Sequence, residues 1–340
     1  ELYLDSVGVL ALPFTIDPLV MYWNRDIFTN IEASQPPKYW DDFYPLIKNI
    51  TKRDASLNIL KSAISFGEFK NVYNSKEIIS ALLMQSGTLI TSTNNNGVVN
   101  SVLTDKNNTS SAATPAESAI SFYTNFANPV KDFYSWNRSM SSSQNSFLSG
   151  DLAVYFGLAG ELFDLRAKNP NLNFDVASFP QIKNASVKIT FGKMNALAIN
   201  KNSKSVQGAF TVAMALTAKD SIDSLTNILN LPPVRRDSLA GTPADAYMST
   251  FYSGAIASRG WLDPDKNQTA IIFQEMIESI TGGRSNVFNA VSATNEKINI
   301  LLNNRRYPPN NFSPRINLKY EFPRLNLKKN VWSKANNKIY

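Results

Sequence analysis

Apolar and polar positions follow two periods along this chain, and the switches between them mark its elements. Leu19 to Trp23 is an uninterrupted apolar and aromatic run that reads as a strand. A short polar-capped segment, Asn24-Arg25-Asp26-Ile27-Phe28, follows it. Pro36-Pro37 fix φ and lack N–H donors. They precede Trp40, Phe43, Tyr44 and Ile47 at i, i+3, i+4, i+7, the stripe of an amphipathic helix. Residues 58–66 read as a strand, and Ser75 is expected to cap a helix over KEIISALLMQ that stops at Gly87. Residues 88–111, rich in Asn, Ser and Thr, read as an exposed hairpin or loop.

The pattern continues with Thr114-Pro115-Ala116-Glu117, a capping box with proline at the first helical position, ahead of Ile120, Phe122, Tyr123 and Phe126. A short helix over 141–148 ends at Gly150, and a strand is expected over 174–179. Ala209, Phe210, Val212, Ala213 and Leu216 predict a helix, and Pro232-Pro233 a stiff connector. Helices over 244–258, 267–280 and 285–303 complete the periodic part, with Gly282-Gly283 between the last two.

Composition bounds the function more than the fold. With 340 residues, 43% of them hydrophobic, the chain suits two domains or one large α/β unit. No run of uncharged apolar residues is long enough to span a membrane as a helix. Cysteine and histidine are both absent, which excludes thiol nucleophiles, disulfides, Cys/His zinc sites and imidazole bases. Nucleophile-elbow, Ser-x-x-Lys and phosphate-loop sequences do not occur; carboxylate pairs of the glycosidase kind stay open. Charge is uneven. Of 34 basic and 27 acidic residues, nine basic and one acidic lie in 305–340, which leaves 25 against 26 for the rest. The net charge of +7 therefore belongs to an Asn-, Pro- and Lys-rich tail, and a nucleic-acid reading would rest on that tail alone.

Two blocks at fixed spacing carry a family resemblance. One is Pro13, Asp17, Leu19 to Tyr22 and Asn24-Arg25-Asp26-Ile27-Phe28; the other is Pro36-Pro37-Lys38-Tyr39-Trp40-Asp41-Asp42-Phe43. With FLSGDLAVYFGLAGEL further on, this order resembles the extracellular solute-binding proteins of ABC importers, the maltose-binding-protein-like family, over roughly 12–303. The resemblance implies an α/β, helix-rich, two-lobed periplasmic-binding-protein-like fold of type II. It begins well inside the family pattern, which implies an incomplete first lobe. On that expectation 1–16 and 193–235 are a remnant of lobe 1 and 17–192 and 236–303 form lobe 2. Residues 304–340 are a basic, disordered tail without a family counterpart. Chain crossings between lobes are expected near 15–17, 191–193 and 234–238.

The same resemblance implies a non-catalytic protein that captures a solute outside the cytoplasm by hinge closure and delivers it to ABC permease membrane subunits. It implies a mono- or oligosaccharide solute, a monomer, no cofactor or metal, no nucleic acid, and a lipid anchor through an N-terminal segment. Two other classes stay open: a carbohydrate-active enzyme using Asp/Glu pairs, and a surface-adhesion or scaffold protein whose basic tail binds.

A sugar offers hydroxyls around a partly apolar ring, so its site needs acids and amides for paired hydrogen bonds and aromatic faces for C–H surface. Asp17 is the first candidate, at the hinge in the family pattern; the plain alternative is a turn Asp bonding its own backbone. Trp136 and Asn137 lie in a loop before a helix, with a core tryptophan as the alternative. Gly157 marks a strand-to-helix turn with free N–H groups. The next residues, Leu158 and Ala159, lack the aromatic that some sugar binders of the family carry there. Gly192 and Lys193 lie on the recrossing strand, Arg235 and Arg236 follow the Pro-Pro connector, and Trp261 in Arg259-Gly260-Trp261 is the expected aromatic platform. Trp23 and Trp40 fall on apolar faces and are expected in the core.

Overall fold

Two short strands, β1 (Leu4–Asp5) and β2 (Gly8–Val9), lead into β3 (Leu12–Asn24), the strand on which the main sheet is built. The computed structural model describes residues 4–304 except 6–7, 57, 95–96, 106–112, 201, 242 and 244, without the side chains of 4, 5, 8 and 9. Chain contacts gather Glu1–Tyr307 into one unit; a second, Pro308–Tyr340, lies outside the described residues, and with it almost all of the expected tail.

The 13-residue β3 changes character part-way along. Every residue from Pro18 to Asn24 is buried, as the apolar run requires, whereas Leu12, Pro13, Phe14 and Asp17 keep some exposure. The other strands of this sheet are β4 (Lys52–Arg53), β5 (Ile59–Ile64), β8 (Leu152–Leu158), β9 (Phe174–Ser178), β10 (Thr190–Leu197) and β11 (Ser258–Arg259). Their order is β11-β10-β3-β8-β5-β4, with β9 also paired to β3. The N-terminal half of β3 pairs antiparallel with β10, placing Asp17 opposite Lys193 and Pro18 opposite Gly192. Its C-terminal half pairs antiparallel with β8 and β9. β5–β8 and β10–β11 are parallel. Two expected boundaries, 16/17 and 192/193, thus fall inside β3 and β10, strands that run on continuously across them.

The residues 88–111 give the hairpin β6 (Thr91–Thr93) and β7 (Val99–Ser101), with 95–96 and 106–111 outside the described residues. The helices are α1 (Arg25–Asn30), α2 (Phe43–Ile50, after a 3-10 turn over Trp40–Asp42), α3 (Ser75–Gln85), α4 (Pro115–Asn125), α5 (Ser143–Leu148), α6 (Leu162–Lys168), α7 (Val206–Leu216), α8 (Lys219–Leu229), α9 (Arg236–Leu239), α10 (Ala246–Ala257), α11 (Lys266–Thr281) and α12 (Val287–Asn304). The N-cap half of the expected capping box forms, with Glu117 N–H donating to Thr114 Oγ1 at 3.1 Å; the Glu117 carboxylate returns to the Thr114 hydroxyl, at 3.0 Å from Oγ1, where a full box would use the Thr114 backbone N–H. Ser75 is not the cap of α3. The boundary residue is Asn74, in the left-handed region at φ 55°, which frees its side chain for a tertiary role described below.

Trp23 and Trp40 are buried, and Trp40 packs against Phe43, Phe66, Phe122, Phe156 and Phe179. By contrast α7 buries only Ala213 and leaves Val206, Phe210, Val212, Met214 and Leu216 exposed. Among the described residues no helix is long and apolar enough to cross a membrane.

Candidate functional site

The turn that closes β8 meets the middle of β3, and the candidate chemistry gathers there. Leu158 ends β8, Ala159–Glu161 forms a 3-10 turn, and α6 follows. Such a turn leaves N–H groups without helical partners. One of them, Gly160 N–H, donates to Asp17 Oδ1 at 2.9 Å. The turn is anchored from below by Tyr22 of β3, whose hydroxyl donates to Leu158 O at 2.7 Å and Ala159 O at 3.2 Å. Leu231, just past the left-handed Asn230 that ends α8, lies against the other side of Gly160. A Cβ at Gly160 would stand 3.0 Å from Asp17 Oδ2, which would have to give way slightly, and in ordinary contact with Leu231 Cδ2 at 3.5 Å.

Burial is the main reason the Asp17 carboxyl is pushed up to about 6, and the nearby Glu161 carboxylate adds to it. The Gly160 and Ala159 amides and the Lys193 ammonium oppose the shift without cancelling it. Asp17 is thus a partly covered acid that changes charge close to neutrality, with an exposed lysine directly across the strand pair.

The remaining expected residues divide. Gly157 is buried beneath the turn, where a Cβ would stand 2.7 Å from Tyr155 Cε1 and 2.9 Å from Tyr22 Cε2. Its role is close packing under the turn. Gly157→Ala is expected to cost about 1–3 kcal/mol by overpacking two rings that have no space to retreat. Urea unfolding measures it, and an unchanged midpoint would contradict the packing argument. Gly192 opposes Pro18 and lies under Ser258, whose Oγ would be 2.4 Å from an added Cβ, so it serves the close approach of β11.

Trp261 is not the exposed aromatic platform expected of it, and Trp136 takes its alternative, a core tryptophan. Trp136 is 0% exposed, and its Nε1–H donates to Asn71 Oδ1 at 3.2 Å. Trp261 is 7% exposed, stacks on Phe273 at 6.0 Å, and donates from Nε1 to Ser80 Oγ at 3.1 Å. Lys76, which is ion-paired with Asp263, holds its Nζ 5.5 Å from the Trp261 ring centroid. An indole so enclosed gains more from burial in protein than from waiting for a ligand. Asn137 is spent locally, donating to the Tyr134 hydroxyl at 2.7 Å and accepting from Ser139 N–H at 2.9 Å. Arg235 pairs with Asp237 and donates to Thr217 O at 3.1 Å, and Arg236 is an exposed first-turn residue of α9. The structure brings Asp17, Lys193, Gly157 and Gly192 together and sets Trp136, Asn137 and Trp261 elsewhere. Two grooves that line α11 and α12 include none of these residues.

Residues 3–250 match the family described as bacterial extracellular solute-binding protein. The chain belongs to that family. No curated protein matches its sequence. Its fold is similar to that of a cyclo/maltodextrin-binding protein complexed with maltotetraose: TM-score 0.65, 15% identity, 87% of this chain and 71% of that one covered. It is also similar to an ABC-transporter solute-binding protein of Thermotoga lettingae bound with α-D-tagatose, at TM-score 0.62, 18% identity and coverage of 88% and 74%. The protein UgpB of Mycobacterium tuberculosis, in complex with glycerophosphocholine, gives TM-score 0.64, 15% identity and coverage of 89% and 73%. This solute-binding protein thus has the α/β, helix-rich fold that the two sequence blocks implied.

Sequence reading missed Gly160, Glu161, Tyr22, Asn74 and Leu231. One signal was present: Glu161 stands three residues after Leu158, the spacing at which an acid can turn back to accept from the N–H that precedes a helical turn. The rest come from four separate elements, and no local pattern connects them.

Proposed function

We propose that this chain captures a carbohydrate outside the cytoplasm at the junction of β3, β10 and the 158–160 turn, and hands it without chemical change to an ABC permease. The observation that carries the reading is Asp17: a part-exposed carboxylate at the point where the long strand leaves its buried half, accepting from the amides of the adjoining turn. A carboxylate has about four lone-pair sites, so the turn amides leave capacity for solute hydroxyls. Lys193 across the strand pair adds a mobile donor. The solutes of the similar structures, maltotetraose and α-D-tagatose among them, favour a polyhydroxylated ligand. Closure of two lobes hinged at β3 and β10 would supply the rest of the site.

The glycosidase alternative needs two carboxylates free to handle a proton and a sugar carbon. Glu161 is the acid nearest Asp17 in its electrostatics, and both of its oxygens are taken by protein donors. That favours binding without turnover.

The test is a thermal-shift series with maltotetraose, mannotriose and α-D-tagatose against glycerophosphocholine, amino acids and oligopeptides. A saturable rise in midpoint with a carbohydrate is expected, about 2.7 kcal/mol of stabilisation at a hundredfold excess over Kd. It should be absent in Asp17→Ala, and chromatography should return the sugar intact. A response confined to a non-carbohydrate class would overturn the solute assignment, and a cleaved sugar the non-catalytic one.

A further inference from the structure

Glu161 sits in an unusual position for an acid that faces no solute. Its Oε1 accepts from Asn74 Nδ2 at 2.8 Å and from Leu158 N–H at 2.8 Å. Its Oε2 accepts from the Tyr155 hydroxyl and from Gln144 Nε2 at 3.3 Å. These donors come from the start of α3, from the turn itself, from β8 and from α5. Asn74 reaches the carboxylate only because its backbone takes the left-handed conformation at the head of α3, and the same Nδ2 also lies 3.3 Å from Phe156 O. One side chain thus ties three elements to the turn whose next amide, Gly160 N–H, is bonded to Asp17.

We propose that Glu161 is the positioning residue of the solute site: it locks the 158–160 turn against Asp17 and sets a second carboxylate beside it. Both parts follow from one geometry. A carboxylate with four donors holds the turn more firmly than a neutral side chain, because hydrogen bonds to an ionised group are the stronger kind. The same carboxylate, one residue beyond Gly160, opposes a negative charge on Asp17. The other charged or titratable groups bearing on Asp17 are Lys193 from β10, which acts in the opposite sense, and Tyr22 of its own strand. From α10, which lays Gly254 against Pro18, the titratable groups are Tyr247, beside Arg166, and Tyr252. Sugar hydroxyls donate best to an ionised Asp17, so binding is retained above the Asp17 midpoint and declines as the pH falls through it. Removing the Glu161 charge moves that limit to lower pH.

The inference rests on the proposed function for its binding half and stands apart from it in its ligand-free half. In ligand-free protein the Gly160 amide resonance reports Asp17 directly. We expect it to titrate with a midpoint near 6 in the wild type. In Glu161→Gln the amide oxygen can still accept from Asn74 and Leu158 N–H, so the turn keeps Gly160 N–H on Asp17 while the charge is gone, and the midpoint should fall by about half a unit or more. Tyr155→Phe removes one donor and keeps the charge, so it should loosen the turn, seen as faster Gly160 amide exchange, without lowering the midpoint. Where a carbohydrate binds the wild type, the acid limb of its affinity should shift in Glu161→Gln by the same amount. An equal midpoint in wild type and Glu161→Gln would overturn the proposal. So would a wild-type midpoint near the ordinary carboxylate value, which decides the matter even if the variant does not fold. A shifted amide midpoint with no carbohydrate bound by either protein would uphold Glu161 and overturn the solute assignment instead.

Discussion

Asp17→Asn is expected to weaken carbohydrate binding ten- to a hundredfold while making the free protein more stable at pH 7.5. The loss of affinity is the difference between a charged and a neutral acceptor for solute hydroxyls, about 1.5–3 kcal/mol. The gain in stability has the opposite sign because the fold burdens this acid. Its carboxyl lies near 6 in the folded protein against an ordinary 3.8, so the fold holds the proton more tightly than the unfolded chain does. The stabilising share of Asp17 is therefore complete below about pH 4 and is lost as the pH rises through about 6. Above that, the ionised group costs about 1–3 kcal/mol, the lower figure allowing for its part exposure. Asparagine removes the cost and still accepts from Gly160 N–H through its carbonyl oxygen. Urea unfolding at pH 4 and 7.5 measures the contrast: little difference at the first, a stabilised variant at the second. An Asn variant less stable at pH 7.5 would contradict the electrostatic account. A site that costs stability where it carries function is an ordinary compromise in binding proteins.

Trp40→Ala carries the largest expected loss of stability. The indole is 5% exposed and has five phenylalanine neighbours with ring centroids between 5.2 and 5.9 Å away. Its Nε1–H donates to Gln85 Oε1 at 2.7 Å, and Gln85 in turn donates from Nε2 to Pro180 O at 2.9 Å and Ile189 O at 2.8 Å. Removing the ring opens a cavity among rigid aromatics and leaves a buried amide oxygen unpaired. About 3–5 kcal/mol is expected from the cavity, and the stranded acceptor places the cost at the upper end. Trp40→Phe separates the two contributions: it refills most of the space and should lose about 1–2 kcal/mol through the acceptor alone. The comparison is the urea midpoint at constant slope. A loss below about 1 kcal/mol for the alanine variant would mean that the cluster collapses to fill the space.

Much of the fold was legible in the sequence because it is local. The apolar run at Leu19–Trp23 reads as a strand, and with no polar position to put toward water it is covered on both faces. The stripe Trp40, Phe43, Ile47 gives the buried face of the 3-10 turn and α2, and Thr114 caps α4 by bonds within four residues. Asp17 and Lys193 were named from their places on two strands, but their pairing is a matter of register between β3 and β10, across about half the chain. The aromatic candidates failed for a physical reason. A tryptophan in a loop has the same sequence signature whether its ring faces a cleft or a core, and here Asn71, Ser80 and Phe273 supply the partners that burial requires.

The sequence by itself determined the strand and helix periods, the caps, the absence of thiol and imidazole chemistry, and the family blocks. Each depends on residues within a turn or two of one another or on composition alone. Only the tertiary structure decided which polar groups meet. Asp17 bonds to Gly160, 143 residues away, and Glu161 to Asn74, 87 residues away, because sheet pairing and one left-handed residue bring them within hydrogen-bond reach. Hydrogen bonds and charge shifts act over a few ångströms of space, and separation along the chain carries no information about that distance.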